Sequence, residues 1–491
     1  MDLAHLAPLG AEALLTTLGL LVIAIGIATK GRSGIVGIIS LIGLVASLGL
    51  VLTAKTGTIF FYETISVDGF SQFFKAVFIV VSLLVVIAAM SKYNGRKGGD
   101  EFFGLLLLAT VGMMVVSSAI DIVTLFVGFE LASLSTYALA GFDKSRKNLE
   151  AAMKYFLFGS VSSAFMLFGF SLLYGMTGST RIAEIASVAL ADFSPAVLVA
   201  LIFVIAGFAF KMALVPFHMW APDTYEGAPP LVSALLAAGS KKMGFAAAFR
   251  ILFVALVALR FEWYMAFAIL AAVTMTLGNL VACWQNNVRR ILAYSSIAQA
   301  GYIAIAVVVV GAGAGMSTPD GYSVPQFGLA GALLLILGHA LMKTGAFIGT
   351  AQVADMVGKS GDTDPDDISN YAGLYKRAPI TALCMAIFML ALAGIPPSAG
   401  YIGKFVLFGS AIYAGLVWLA VLAILNSALS LYYYLRIISY MYLKDPNGGR
   451  ISEPKGYVLS LLVTLIGVLW IGLAPQGFID WAIQAAAVLL P

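Results

Sequence analysis

Six side chains carry chemistry that their surroundings do not suit. Glu130, Lys211, Lys241, His339, Lys343 and Lys404 each lie well inside an apolar run of the chain. A charge near the centre of a bilayer costs roughly 2.5–3.5 kcal/mol on insertion scales, so such residues mark paths for ions or protons. Glutamate, histidine and lysine all take up and release protons, and a row of them joined by water can relay one. Helix rise is about 1.5 Å per residue, which gives each group a depth. Glu130 lies past Asp121 at one membrane edge, Lys241 past Pro230 at the other, and His339 well into its own run with Lys343 one turn on. Those spacings place all three runs' titratable groups near mid-membrane.

Lys211 and Lys404 sit beside breaks. The first lies in "FAFKMALVPFHMWAPDTYEGAPP", ahead of Pro216, and the second in "LALAGIPPSAGYIGKFVLF", behind Pro396 and Pro397. A proline within a helix removes a backbone hydrogen bond and clashes with the carbonyl four residues back. The freed groups are tolerated at membrane depth only where they are buried in protein or line a wet cavity. Each break therefore predicts a polar space beside its lysine. Counting places Lys211 toward the inner side and Lys404 toward the outer side, with Glu130 expected opposite Lys211 as a movable counter-charge.

The elements that must position these groups follow from composition. Hydrophobic residues make up 61% of the 491-residue chain and charged residues 11%, the signature of a polytopic membrane protein. A spanning helix takes about 20 apolar residues, and the chain parses into about fourteen such runs. The fold class is therefore all-α and polytopic, with broken helices at the seventh and twelfth crossings. Those two crossings are five apart and so run in opposite directions. Matched breaks in oppositely directed halves point to two inverted five-helix repeats around a transport site. The expected divisions are residues 1–100 for an N-terminal three-helix segment, 101–260 and 261–442 for the repeats, and 443–491 for the last helix and tail.

Basic residues cluster in alternate loops, at Lys92, Arg96 and Lys97, at Lys144, Arg146 and Lys147, at Arg289 and Arg290, and at Lys376 and Arg377. Positive loops favour the cytoplasmic side, which sends both termini to the outer side. The N-terminal "MDLAHLAPLG" lacks the basic start of a secretory signal. A net charge of +4 reflects this loop asymmetry and calls for no nucleic-acid partner. Only Cys283 and Cys384 are present, too few for an iron–sulfur cluster with about four thiolates. His5, His218 and His339 are the only histidines, and His218 with His339 lacks the spacing of a haem ligand pair. No phosphate-cradling glycine loop occurs. No cofactor is expected in this chain, and any redox chemistry belongs to partner subunits.

Plainer readings cover the remaining charges. Lys75 and Lys242 are long enough to snorkel to an interface, Arg250 and Arg436 suit positional anchors near helix ends, and His218 suits a satisfied polar contact. The tyrosines and phenylalanines are first of all interfacial belts and packing.

The stretches "KMALVPFHMWAPDTYEGAPPLVSALLAAGSKKMGF", "RRILAYSSIAQAGY" and "LAGIPPSAGYIGKF" resemble the antiporter-like membrane subunits of respiratory complex I, the proton-pumping NADH:quinone oxidoreductase. "PDTYEGAP" and "DDISNYAGL" resemble the N-type subunit in particular, the counterpart of mitochondrial subunit 2. The resemblance runs over nearly the whole chain and is densest from residue 121 to 410. It implies a translocase with fourteen crossings, and it carries pumping roles onto Glu130, Lys211, Lys241 and Lys404, with His339 and Lys343 as the central polar groups. It implies FMN, iron–sulfur clusters and quinone in partner subunits. The implied partners are a neighbouring antiporter-like subunit and small helical subunits, in an energy-transducing bacterial or archaeal membrane. Relatives often carry histidine where this chain has Gln299, which cannot titrate. Two alternatives share this machinery: a subunit of a multi-subunit cation/proton antiporter, and a subunit of a complex using another electron donor such as ferredoxin or a reduced deazaflavin. A purely structural scaffold is disfavoured, because apolar residues would seat neighbours at lower cost than buried charges.

Overall fold

The structure is a computed structural model that describes residues 8–30, 34–189, 195–357, 364–446, 448–449 and 452–490; His5 lies outside them. The chain opens with α1 (Gly10–Ala28) and α2 (Val36–Thr53), followed by a hairpin of β1 (Thr58–Phe60) and β2 (Ile65–Val67). The two strands are antiparallel, with Thr58 opposite Val67 and Phe60 opposite Ile65. Next come α3 (Gly69–Tyr93), α4 (Gly99–Ser118), α5 (Ile122–Ala140), α6 (Arg146–Thr177), α7 (Ile182–Ala189), α8 (Pro195–Met212) and α9 (Trp220–Gly227). One continuous helical run then comprises α10 (Pro230–Leu235), a π turn (Leu236–Ser240), α11 (Lys241–Arg250) and a second π turn (Ile251–Ala255). The chain continues through α12 (Arg260–Trp284), α13 (Val288–Ala312), α14 (Val324–Val357), the short α15 (Leu374–Arg377), α16 (Pro379–Ala393), α17 (Ala399–Tyr413), α18 (Val417–Leu443), α19 (Lys455–Leu473) and α20 (Gln476–Ala487). Among the described residues, twelve helices are long and apolar enough to cross a membrane. The run from Pro230 to Ala255 and the pair α16 and α17 are interrupted apolar stretches outside that count.

Burial sorts these helices into a centre and a rim. α13, α14 and α11 are enclosed along nearly their whole length. α1, α2, α6, α18 and α19 turn leucine, isoleucine and phenylalanine outward, as at Leu20, Ile42, Phe158, Leu425 and Ile466. Outward apolar side chains suit hydrocarbon, where helix association relies on close packing instead of hydrophobic burial. Glycines provide that closeness between α12 and α13. A Cβ on Gly278 would lie 2.6 Å from the Ala298 nitrogen, and one on Gly301 would lie 2.6 Å from the Met275 nitrogen. α13 is thereby held rigidly against α12 while its opposite side faces the centre.

Candidate functional site

The first break lies between α8 and α9, at residues 213–219. Ala213 takes a left-handed conformation (φ 56°), and the Val215 N–H donates to Thr274 Oγ1 on α12 at 3.0 Å. The Phe210 carbonyl accepts from the Trp220 indole N–H at 2.8 Å. The backbone groups freed here are satisfied within protein, as membrane depth demands. Lys211 is fully buried and donates to Ser133 Oγ and to the Tyr155 hydroxyl, both at 2.9 Å. Its ammonium also lies 5.2–5.6 Å from the ring centres of Phe129, Tyr137 and Tyr155, within cation–π range.

Glu130 does not pair directly with Lys211. Its carboxylate accepts from Ser163 on α6 and is only half-buried, while the lysine bonds to Ser133, one turn further along α5. The two share helix α5 as a common support, and no direct ion pair joins them among the described residues.

Lys241, His339, Lys343 and Lys404 surround α13. Lys241 donates to Ser296 Oγ at 3.0 Å and lies 5.5 Å from the Tyr225 ring centre. Lys343 donates to the Leu292 carbonyl and to Ser295 Oγ, both at 2.7 Å, and Ser295 also bonds the Tyr434 hydroxyl. At the second break α16 ends at Gly394 (φ 93°), and α17 starts from Ser398, which caps Tyr401 N. Lys404 fills this break, donating to Leu392 O at 3.0 Å, Ala393 O at 2.9 Å and Ser427 Oγ at 2.8 Å. Its ammonium is 5.2 Å from the Tyr302 ring centre. A cavity of about 670 Å³, lined by Gly394, Tyr401, Phe405 and Ser427 among others, adjoins the Lys404 side chain. Gln299 completes the set by donating to the same Leu392 carbonyl at 3.0 Å. His339 is fully buried, with no hydrogen-bond partner for either ring nitrogen among the described residues.

The connecting element is therefore α13. Leu292, Ser295 and Ser296, Gln299, and Tyr302 fall three and four residues apart, on one helix face, and through them α13 touches three lysines on three other helices. These neutral groups carry no charge anomaly, so charge counting passes over them. The pattern "YSSIAQAGY" holds their only signal, polar residues repeating at helical spacing inside an apolar run. Lys211 bonds to none of these α13 groups, although its side chain packs against Gly244 of α11. A row of rings also links it to Lys241 through α9: Trp220 stacks on Tyr155 at 4.7 Å with planes 16° apart, and Tyr225 meets Trp220 edge-on at 5.8 Å.

Other charges resolve as follows. Lys75 does not snorkel but is buried against Glu12 at 2.6 Å, and Lys242 is fully buried as well. Arg250 anchors to Asp68 at 2.8 Å and to the Ser117 carbonyl, and Arg436 to the Cys283 carbonyl and Asn286. His218 is half-buried, and its Nδ1 has no partner among the described residues. At the rim, α9 presents Asp223 to Lys154 (2.9 Å) and Arg290 (3.0 Å), and Glu226 to Arg290 (2.7 Å) and Lys147 (2.9 Å). Burial pushes both carboxyls up, but these cations outweigh it and hold them below the ordinary carboxylate values.

The fold and the site define an all-α polytopic membrane protein with interrupted helices and lysines buried at the interruptions. The chain belongs to the NADH:quinone oxidoreductase/Mrp antiporter transmembrane family, which it matches over residues 119–430. It is 50% identical to the F(420)H(2) dehydrogenase subunit N of Methanosarcina mazei, across 100% of this chain and 99% of that protein. It is 40% identical to the NADH-quinone oxidoreductase subunit N of Trichlorobacter lovleyi, across 97% and 96%. Its fold is similar to that of a chain in respiratory complex I from Thermus thermophilus with bound aureothin, with a TM-score of 0.80, 30% identity, and coverage of 96% and 98%.

Proposed function

We propose that this chain is a proton-translocating membrane subunit, of the N type, in an oxidoreductase of the complex I kind. Protons move through Glu130, Lys211, Lys241, His339, Lys343 and Lys404 while electrons move in partner subunits. One observation carries this reading: the ammonium groups of Lys211, Lys241, Lys343 and Lys404 are buried and held by hydroxyls and carbonyls, without a carboxylate partner among the described residues. Charges so placed cost far more than apolar residues would, and neutral acceptors can hold an ammonium or a water in turn. The two interrupted stretches are taken as further crossings, which brings the total to about fourteen. The inverted repeats at residues 101–260 and 261–442, both termini outside, and the absence of a redox centre in this chain belong to the same proposal.

The relatives' names differ in electron donor, F(420)H(2) in one and NADH in the other, although both match over nearly full length. A membrane chain that fits both leaves donor recognition, together with FMN, iron–sulfur clusters and quinone, to its partners. A second reading, a cation/proton antiporter subunit, is supported by the scope of the family itself; it keeps the same lysines and replaces electron transfer with an ion gradient. The test is Lys211→Ala in the assembled complex in liposomes. Donor-driven proton uptake is expected to be abolished or strongly reduced, and full pumping by a stably assembled variant would sink the assignment. Mass spectrometry of the co-purifying subunits separates the two readings: flavin and iron–sulfur subunits support the first, and membrane proteins alone support the second.

A further inference from the structure

α18 turns apolar side chains outward, yet one side of it is polar: Asn426 with Ser427, Ser430, and Tyr433 with Tyr434 fall three and four residues apart. Asn426, Ser430, Tyr433 and Tyr434 are buried. The Tyr433 hydroxyl donates to Asn279 Oδ1 on α12 at 2.9 Å, and Asn426 Nδ2 donates to Thr276 Oγ1 on the same helix at 3.1 Å. The Tyr434 hydroxyl pairs with Ser295 Oγ on α13, the same oxygen that accepts from Lys343 Nζ at 2.7 Å. Ser295 and Tyr434 are both fully buried. A rim helix thus reaches a central lysine through one intervening hydroxyl.

A hydroxyl has one proton to donate and two lone pairs that accept, so what matters is where each proton can go. Beside Lys404, Ser427 donates to the Ala393 carbonyl at 3.1 Å. Beside the Tyr155 hydroxyl that holds Lys211, Thr136 donates to the Ala132 and Ser133 carbonyls, both at 2.9 Å. A carbonyl only accepts, which fixes the direction of both. Ser295 and Tyr434 differ: among the described residues no carbonyl takes either proton, and either oxygen can donate to the other. Building on the translocation reading, we propose that Tyr434 is a positioning residue for Lys343, turning the Ser295 hydroxyl as the lysine gains and loses its proton. With Lys343 as an ammonium, its N–H donates to Ser295 and Ser295 donates to Tyr434. Once the proton has left, the amine nitrogen carries a lone pair that the Leu292 carbonyl, its other partner, cannot serve. The row then reverses, with Tyr434 donating to Ser295 and Ser295 to Lys343. Two O–H groups turn, no covalent bond in the serine–tyrosine pair breaks, and Lys343 has a partner in both states. Gln299, one turn beyond Ser295 on α13 and beside Tyr434, keeps a buried amide oxygen without a partner among the described residues, a spare acceptor for the tyrosine proton in the first state.

The test uses the complete complex, purified with its partner subunits and reconstituted into liposomes, with proton uptake read per donor oxidised. Tyr434→Phe keeps the ring that packs on Tyr433 at 4.4 Å and loses only the hydroxyl. It is expected to assemble, to melt within about 2 °C of wild type, and to lower pumping about three- to tenfold, the factor for one hydrogen bond lost in one of two states. Ser295→Ala is expected to do the same, and the double variant to pump no worse than the poorer single one, because both changes open the same row. Infrared difference spectra between the donor-reduced and resting complex add a readout that a packing role would not move: a displaced tyrosine C–O band in wild type, missing from Tyr434→Phe and from Lys343→Met. Native pumping by Tyr434→Phe, an unchanged tyrosine band in that variant, or additive losses in the double variant would overturn the assignment. So would failure of both Tyr434→Phe and Ser295→Ala to assemble, which would make the pair structural. Lys343→Met run in parallel distinguishes the two levels: if it pumps fully the translocation reading fails at this lysine, and if it does not while Tyr434→Phe does, only the role of Tyr434 falls.

Discussion

Replacing Lys404 with methionine tests whether the lysine at the second break serves proton movement or merely plugs a broken helix. The ammonium makes three hydrogen bonds, to Leu392 O, Ala393 O and Ser427 Oγ. Bonds to a charged group are worth about 1.5–3 kcal/mol each, so their loss alone would cost roughly 4–9 kcal/mol. Two features reduce this. Leu392 O keeps the Gln299 amide at 3.0 Å and Ala393 O keeps the Ser427 hydroxyl at 3.1 Å, so neither carbonyl freed by the break is orphaned. The buried ammonium also no longer has to be desolvated, a relief of several kcal/mol, and methionine matches the lysine stem against the apolar wall of the adjoining cavity. The expected net change is within about 2 kcal/mol, equivalent to about 2 °C for a chain of this size. Differential scanning fluorimetry of the intact complex reads that shift, and acidification assays in proteoliposomes read pumping. The expected result is a near-native melt with pumping reduced at least tenfold. A melt lowered by more than about 4 °C, or dissociation of the complex, would show that Lys404 is a structural pin; a near-native melt with native pumping would refute its place in the path.

The other predictions concern stability. Glu12→Gln strands Lys75, whose only ionic partner among the described residues is Glu12 at 2.6 Å, and is expected to cost about 3–5 kcal/mol. Glu12→Gln/Lys75→Met should recover most of it; a double variant as unstable as the single one in the same melt would show that the charge is not the cause. At the rim, Asp223 and Glu226 have folded values held below the ordinary ones. Their contribution is therefore full above the ordinary carboxylate range, about pH 5, and is lost as pH falls through the depressed folded values. Melting profiles should be flat in this respect from neutral to mildly acidic pH and steepen in acid. Asp223→Asn/Glu226→Gln should remove part of that acid steepening, and an unchanged acid limb would count against the assignment.

How much of this was legible beforehand follows from what sequence patterns measure. Lys211 and Lys404 were readable because charge and proline both contradict an apolar run, and the structure places each beside a real interruption. The hydrogen-bond partners of Glu130 and Lys211 were not legible, because residue counting gives depth along an axis and nothing about direction around it. Ser133, three residues from Glu130, points to the lysine, while Glu130 turns to Ser163. Snorkelling by Lys75 and Lys242 failed for a related reason: a helix read alone does not reveal that other helices enclose it on all sides. The role of α13 was hidden because Ser295, Ser296 and Gln299 are inexpensive in a membrane helix and ordinary in composition. Their importance arises only when Lys241 and Lys343 converge on the two serines and Gln299 shares the Leu392 carbonyl with Lys404.

That convergence changes how the row of lysines is organised. A single evenly spaced axis would place Lys211 on the same support as the others, but Lys211 bonds to α5 and α6, Lys241 and Lys343 bond to α13, and Lys404 bonds to α16 and α18 with the Tyr302 ring of α13 beside it. Between the two supports stands α9, with Trp220 stacked on the tyrosine that binds Lys211 and Tyr225 facing Lys241. The other side of α9 carries Asp223 and Glu226, tied by ion pairs to α6 and to the first turn of α13. α9 is short and bounded by a break on one side and prolines on the other. A shift of α9 would therefore act on the surroundings of Lys211 and Lys241 together, and the same rim charges that hold α9 in place would resist it. An aromatic partition braced by ion pairs thus adjoins both Lys211 and Lys241.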